Sequence, residues 1–98
     1  MHKMHLIARV PNEGARKLAW WIGRECAGSI AVAALKLRES AAMLDRLLTG
    51  EITPGEPLAR NIGERTGRRI TRLDWQRRPQ GAWSDMPHEP GTLGKAVA

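Results

Sequence analysis

Phenylalanine and tyrosine are both missing from this chain, and four tryptophans supply all of its aromatic rings. That argues against base-stacking platforms of the RRM or OB type. With a single cysteine, Cys26, no internal disulfide forms, and no Cys/His spacing resembles a zinc site. His2 and His5 lack a third ligand, so neither a metal nor another cofactor is expected. No apolar run approaches the roughly 18 residues of a membrane-spanning helix. No apolar region follows Met1-His2-Lys3-Met4-His5 to make a signal peptide, so a cytoplasmic protein without a membrane partner is expected. Asp45, Asp74 and Ser40 have no histidine nearby in sequence. A Gly-rich phosphate loop and a nucleophile elbow are likewise absent, so no enzyme is expected.

What is abundant is arginine. The 98 residues hold 16 basic against 10 acidic side chains, a net charge of +6, and 12 of the 16 are Arg. Arg presents a rigid fork of donors suited to phosphates and guanine edges, so the bias hints at nucleic acid. A basic balance also fits a membrane surface or an acidic protein partner. The surplus is localised: residues 59 to 78 carry seven Arg and two acids, whereas residues 79 to 98 are net acidic by one charge.

A chain this short forms one domain with a small core, and a dimer interface would add to its burial. Residues 1 to 11, with Leu6-Ile7-Ala8-Arg9-Val10 before Pro11, read as an arm or a short edge strand. Asn12 is a helix N-cap with Glu13 in the first turn, and Leu18, Trp21, Ile22 and Cys26 follow at helical spacing. Gly28 ends this helix and Ser29 caps the next, whose inner face is Ile30, Ala33, Ala34 and Leu37. Ser40 caps a third helix, about 41 to 49, with Leu44, Leu47 and Leu48 inward and Gly50 as its stop. Glu56-Pro57 opens a fourth, carrying Leu58 and Ile62, that ends at Thr66-Gly67. Arg68-Arg69-Ile70 reads as a short extended piece, and Thr71-x-x-Asp74 as a capping-box variant before one more turn with Leu73 and Trp75. Trp75 is expected to close the core beneath the fourth helix, with Trp21 inside and Trp20 at its rim. Residues 79 to 98 read as a Pro/Gly-rich flexible tail.

The stretch SIAVAALKLRESAAMLDRLLTG, from Ser29 to Gly50, resembles the lambda repressor-like (Cro/cI-type) helix-turn-helix regulators of phages and bacteria. Ala34 stands where two helices cross closely, and Leu37, Leu44 and Leu47 fill the family's apolar positions. Leu58, Ala59, Ile62 and Thr66-Gly67 continue the likeness, which spans about residues 13 to 76. The turn position that is commonly Gly carries Arg38, and the commonly apolar one after it carries Glu39. A left-handed Arg38 costs on the order of 1 kcal/mol relative to Gly, and a longer or more helical connection is the alternative.

The resemblance implies an all-α bundle of four to five helices, with a DNA-binding domain over residues 12 to 78. It implies a homodimeric, nucleoid-associated transcriptional regulator or repressor that places its third helix in the major groove of duplex DNA. Carried over position by position, Ser40, Ala41, Ala42, Asp45 and Arg46 face the bases, with Thr49 on the same exposed face. Arg46 is the side chain able to fork onto guanine O6 and N7. Asp45 either accepts from cytosine N4 or orients Arg46 or Arg38. Ser29, Lys36, Arg38, Arg68 and Arg69 are candidates for phosphate contact. The reading from another class is a protein-interaction adaptor that uses the same fold to hold a larger partner such as RNA polymerase, a phage packaging assembly or a toxin.

Overall fold

The computed structural model describes Met4 and residues 6–87. Its elements are all helical: α1 (Glu13–Glu25), α2 (Ile30–Leu37), α3 (Ala41–Thr49), α4 (Glu56–Arg65) and a 3-10 helix (Arg72–Gln76). Three polar side chains start the first three helices as the sequence indicates. The side chains of Asn12, Ser29 and Ser40 accept from the backbone N–H groups of Ala15, Val32 and Met43. Each satisfies a donor that the first helical turn would otherwise leave unpaired. Gly55 precedes α4 without a side-chain cap, and Pro57 in its first turn removes one donor in need of a partner.

One core runs through the bundle. Leu18, Ile22, Leu37, Leu44, Leu47, Leu48, Ile62 and Ile70 are fully buried, joined by Trp21, Cys26, Ile30 and Trp75. α2 packs on α3 and α4, while α1 packs on α3 and on the 3-10 helix. Two glycines mark close approaches. A Cβ on Gly14 would overlap the indole of Trp75, and one on Gly50, which is left-handed at φ 76°, would sit 2.6 Å from Pro11 Cβ.

Several local readings change. Among the described residues no β-strand forms, so the edge-strand reading of residues 1 to 11 falls away for 6 to 11. Val10 is buried, and the carbonyl of Ile7 accepts a 2.6 Å hydrogen bond from Trp83 Nε1. Arg68-Arg69-Ile70 is a turn rather than an extended piece, with Arg68 left-handed at φ 64°. The cause is local. The N–H of Arg68 closes back onto the carbonyl of Gly63 at 2.7 Å, and that of Gly67 onto Glu64, the paired bonds of a Schellman motif that satisfy the last carbonyls of α4.

Trp75 is buried as expected, against Gly14 of α1. Leu73, its neighbour on the same turn, is 52% exposed. Asp74 does what the capping pattern implies, accepting from the N–H of Thr71 at 2.8 Å, and Lys17 reaches the same carboxylate oxygen at 3.1 Å. Residues 79–87 fold back on α1. Trp20 Nε1 donates to the carbonyl of Trp83, Gln80 N–H to the Glu13 carboxylate, and Arg16 to the carbonyl of Asp85. The rest of the expected tail, residues 88–98, lies outside the described residues, as do residues 1–3 and 5.

The Gly14–Trp75 contact sets a test of the packing. Gly14→Ala adds a methyl where the indole stands, and overpacking of this kind costs about 1–3 kcal/mol. Thermal denaturation followed by circular dichroism should show a lower Tm for Gly14→Ala than for Gly23→Ala, because a Cβ at Gly23 meets nothing within 4 Å.

Candidate functional site

The site is built outward from the corner between α2 and α3. α2 ends at Leu37, and Arg38 takes the left-handed conformation, φ 56° and ψ 42°. The N–H of Glu39 then bonds the carbonyl of Ala34 at 3.1 Å, and that of Arg38 the carbonyl of Leu35 at 3.4 Å. This is again the pattern in which a left-handed residue reverses the chain at a helix end. The connection is therefore short, and Ser40 starts α3 directly after it. An arginine in the place that glycine fills at no steric cost is strained by roughly 1 kcal/mol.

Asn61 of α4 holds the corner from behind. Its amide donates to the carbonyl of Leu37 at 2.8 Å and to the Glu39 carboxylate at 3.0 Å. Its own oxygen accepts from Arg65 Nε at 2.7 Å. The polar Glu39 at a position where an apolar residue is common thus has a dedicated partner. Asn61 is a residue that reading the sequence missed; the only signal was a polar side chain between Ala59 and Ile62, the two inward positions of α4.

With Leu44, Leu47 and Leu48 in the core, α3 turns the opposite face outward. Ser40, Ala42 and Arg46 are exposed, and Ala41, Asp45 and Thr49 are half-buried. The guanidinium of Arg46 stands 4.0 Å from the Glu51 carboxylate, both more than half exposed, so its nearest acidic partner is Glu51 rather than Asp45. Asp45 Oδ1 is shielded and has no hydrogen-bond partner among the described residues. Thr49 Oγ1 donates to the carbonyl of Arg46 at 3.2 Å. The hydroxyl oxygens of Ser29 and Ser40 are spent on capping, which leaves each an O–H to donate.

The remaining basic candidates fall into two groups. Arg38 and Arg68 are exposed, and no hydrogen bond or ion pair ties either side chain to another described residue. Lys36 and Arg69 instead meet at the end of α1: Lys36 Nζ donates to the carbonyl of Glu25 at 2.7 Å, and Arg69 lies 3.4 Å from the Glu25 carboxylate. Cys26, beside them, is buried; desolvation pushes its thiol up, which the nearby Lys36 partly offsets.

Among the described residues no helix is long and apolar enough to cross a membrane, and no three His, Cys, Asp or Glu side chains gather as a metal site. Comparison with protein families, curated proteins and solved structures finds no match for this chain.

The strain at Arg38 is measurable. Arg38→Gly should raise the unfolding free energy by about 1 kcal/mol in urea denaturation, since glycine takes the left-handed turn freely. No gain, or a loss, would mean that the arginine side chain contributes packing at the corner.

Proposed function

We propose that this chain is a lambda repressor-like helix-turn-helix protein that binds duplex DNA in a sequence-specific way and acts as a transcriptional regulator. The observation that carries the reading is the α2–α3 corner. A reversal centred on left-handed Arg38 delivers Ser40 at once to the N-terminus of α3, whose outer face exposes Ser40, Ala42 and Arg46, with Ala41 partly packed on the core. In such a module the first turns of α3 enter the major groove. Ser40, Ala41, Ala42, Asp45 and Arg46 then meet base edges, and the N-termini of α2 and α3, with Ser29 and Ser40, meet phosphates.

Charge supports a division of labour. α3 has one acid and one base, Asp45 and Arg46, and is neutral. Affinity for the backbone then comes from arginines outside it, Arg38 and Arg68 among them. Base discrimination rests on Arg46, on thymine methyls touching Ala41 and Ala42, and on Asp45 as an acceptor. As a homodimer the protein would address two half-sites about 34 Å apart.

A second reading, the protein-interaction adaptor, has one observation in its favour. α2 exposes apolar side chains on its outer side too, with Leu35 80% and Val32 38% exposed, and neighbouring exposed apolar residues suit a partner surface.

A binding-site selection from random duplexes, followed by affinity measurement at two salt concentrations, separates the readings. DNA regulation predicts a sequence preference that survives physiological salt, and Arg46→Ala should weaken the selected site by about 1–3 kcal/mol while leaving random DNA nearly unchanged. Binding that vanishes with salt and shows no preference would favour the adaptor.

A further inference from the structure

Away from the outer face of α3, three cations gather around a cleft of about 490 Å³ where the C-terminal ends of α1, α2 and α4 converge. Lys36, Arg65 and Arg69 line it, Trp21 and Thr66 also face it, and Glu25 is its one acid. Three positive side chains against one carboxylate leave a side-chain surplus of two positive charges. Helix C-termini carry partial negative charge, so cations belong near them. Those ends are already served without the guanidinium groups: Lys36 Nζ holds the carbonyl of Glu25, and the N–H groups of Arg68 and Arg69 hold the carbonyls of Gly63 and Thr66.

Donor capacity remains after these bonds. Arg65 commits Nε to Asn61, Arg69 reaches Glu25 through one nitrogen, and Lys36 uses one of its three N–H groups. The unused donors belong to side chains that line one concave surface.

We infer that this cleft binds a small phosphomonoester. A phosphate monoester near neutral pH carries about 1.5 to 2 negative charges and three strong acceptor oxygens. Its three oxygens match the guanidinium forks, which bind phosphate in a planar, two-point manner. A phosphodiester, as in a nucleic-acid backbone, has a single charge and two terminal oxygens, so it engages fewer of these donors. Arg65 also connects the cleft, through Asn61, to the carbonyl of Leu37 and to Glu39 in the turn before α3. A ligand that engages Arg65 therefore bears on the residue that braces this corner.

The test is a titration of the full chain with glycerol 3-phosphate, and in parallel with dimethyl phosphate, following arginine Nε–H and tryptophan indole N–H resonances by NMR. Saturable shifts at Arg65 and Arg69 are expected with the monoester, with affinity for the diester at least about tenfold weaker. Arg65→Gln should weaken monoester binding at least about tenfold, and Arg72→Gln, remote from the cleft, should leave it unchanged. If Arg65→Gln fails to fold by circular dichroism, Arg69→Gln carries the same expectation. The inference is overturned if nothing saturates below about 10 mM, if the diester binds equally, or if a folded Arg65→Gln or Arg69→Gln protein binds as the parent does. In each of those cases the cations serve the helix ends and the solvent-facing surface only.

Discussion

The close seating of Trp75 against Gly14 is the constraint on which the arrangement of this molecule turns. α1 has to present a glycine at its second residue, because any side chain there would occupy the volume of the indole. Glycine inside a helix costs about 1 kcal/mol relative to alanine, so the contact is made at the expense of helix propensity. In return the segment after α4 is brought across α1. A buried indole contributes a large apolar area, worth several kcal/mol when removed from water. Its Nε1 has no hydrogen-bond partner among the described residues, which offsets part of that gain.

Around this contact the polar groups of α1 are arranged as a clamp for the residues that follow. Glu13 and Arg16 are almost wholly buried and form a two-point ion pair, Nε to Oε1 at 2.8 Å and Nη2 to Oε2 at 2.7 Å. A buried ion pair adds little over apolar packing, but losing one partner leaves a charge that costs about 3–5 kcal/mol. Glu13 also accepts from the N–H of Gln80, and Arg16 donates to Asp85. The pair therefore specifies where residues 79–85 lie. α1 serves two masters: its N-terminal turns hold the C-terminal segment, and its apolar residues support α3. The outer surface of α3 owes its orientation to that second role.

What was legible in the sequence was local. Asn12, Ser29, Ser40 and Gly50 mark helix ends through bonds spanning three residues or so, and the leucines of α3 show a helical period that needs no knowledge of the partner surface. The parts that were not legible depend on distant residues. Glu39 reads as a polar intruder until Asn61, 22 positions later, supplies its donor. Arg38 looks wrong for a left-handed turn because propensity speaks against it, and helix-end hydrogen bonds override it. Residues 79–87 have the composition of a tail, and only the buried Glu13–Arg16 pair and the two tryptophans Trp20 and Trp83 explain why they pack. Lys36 and Arg69 fit backbone contacts equally well on paper, and it takes the fold to bring both to the end of α1.

The central claim is that the outer face of α3 is the surface that reads DNA. A backbone amide titration by NMR with a duplex obtained by selection tests it most directly, because it reports which residues meet the ligand without altering any of them. The largest, saturating shifts are expected at residues 40–46, with smaller ones at the N-terminus of α2 and near Arg38. Shifts concentrated instead on Val32 and Leu35 of α2, or none at a duplex excess in physiological salt, would contradict it.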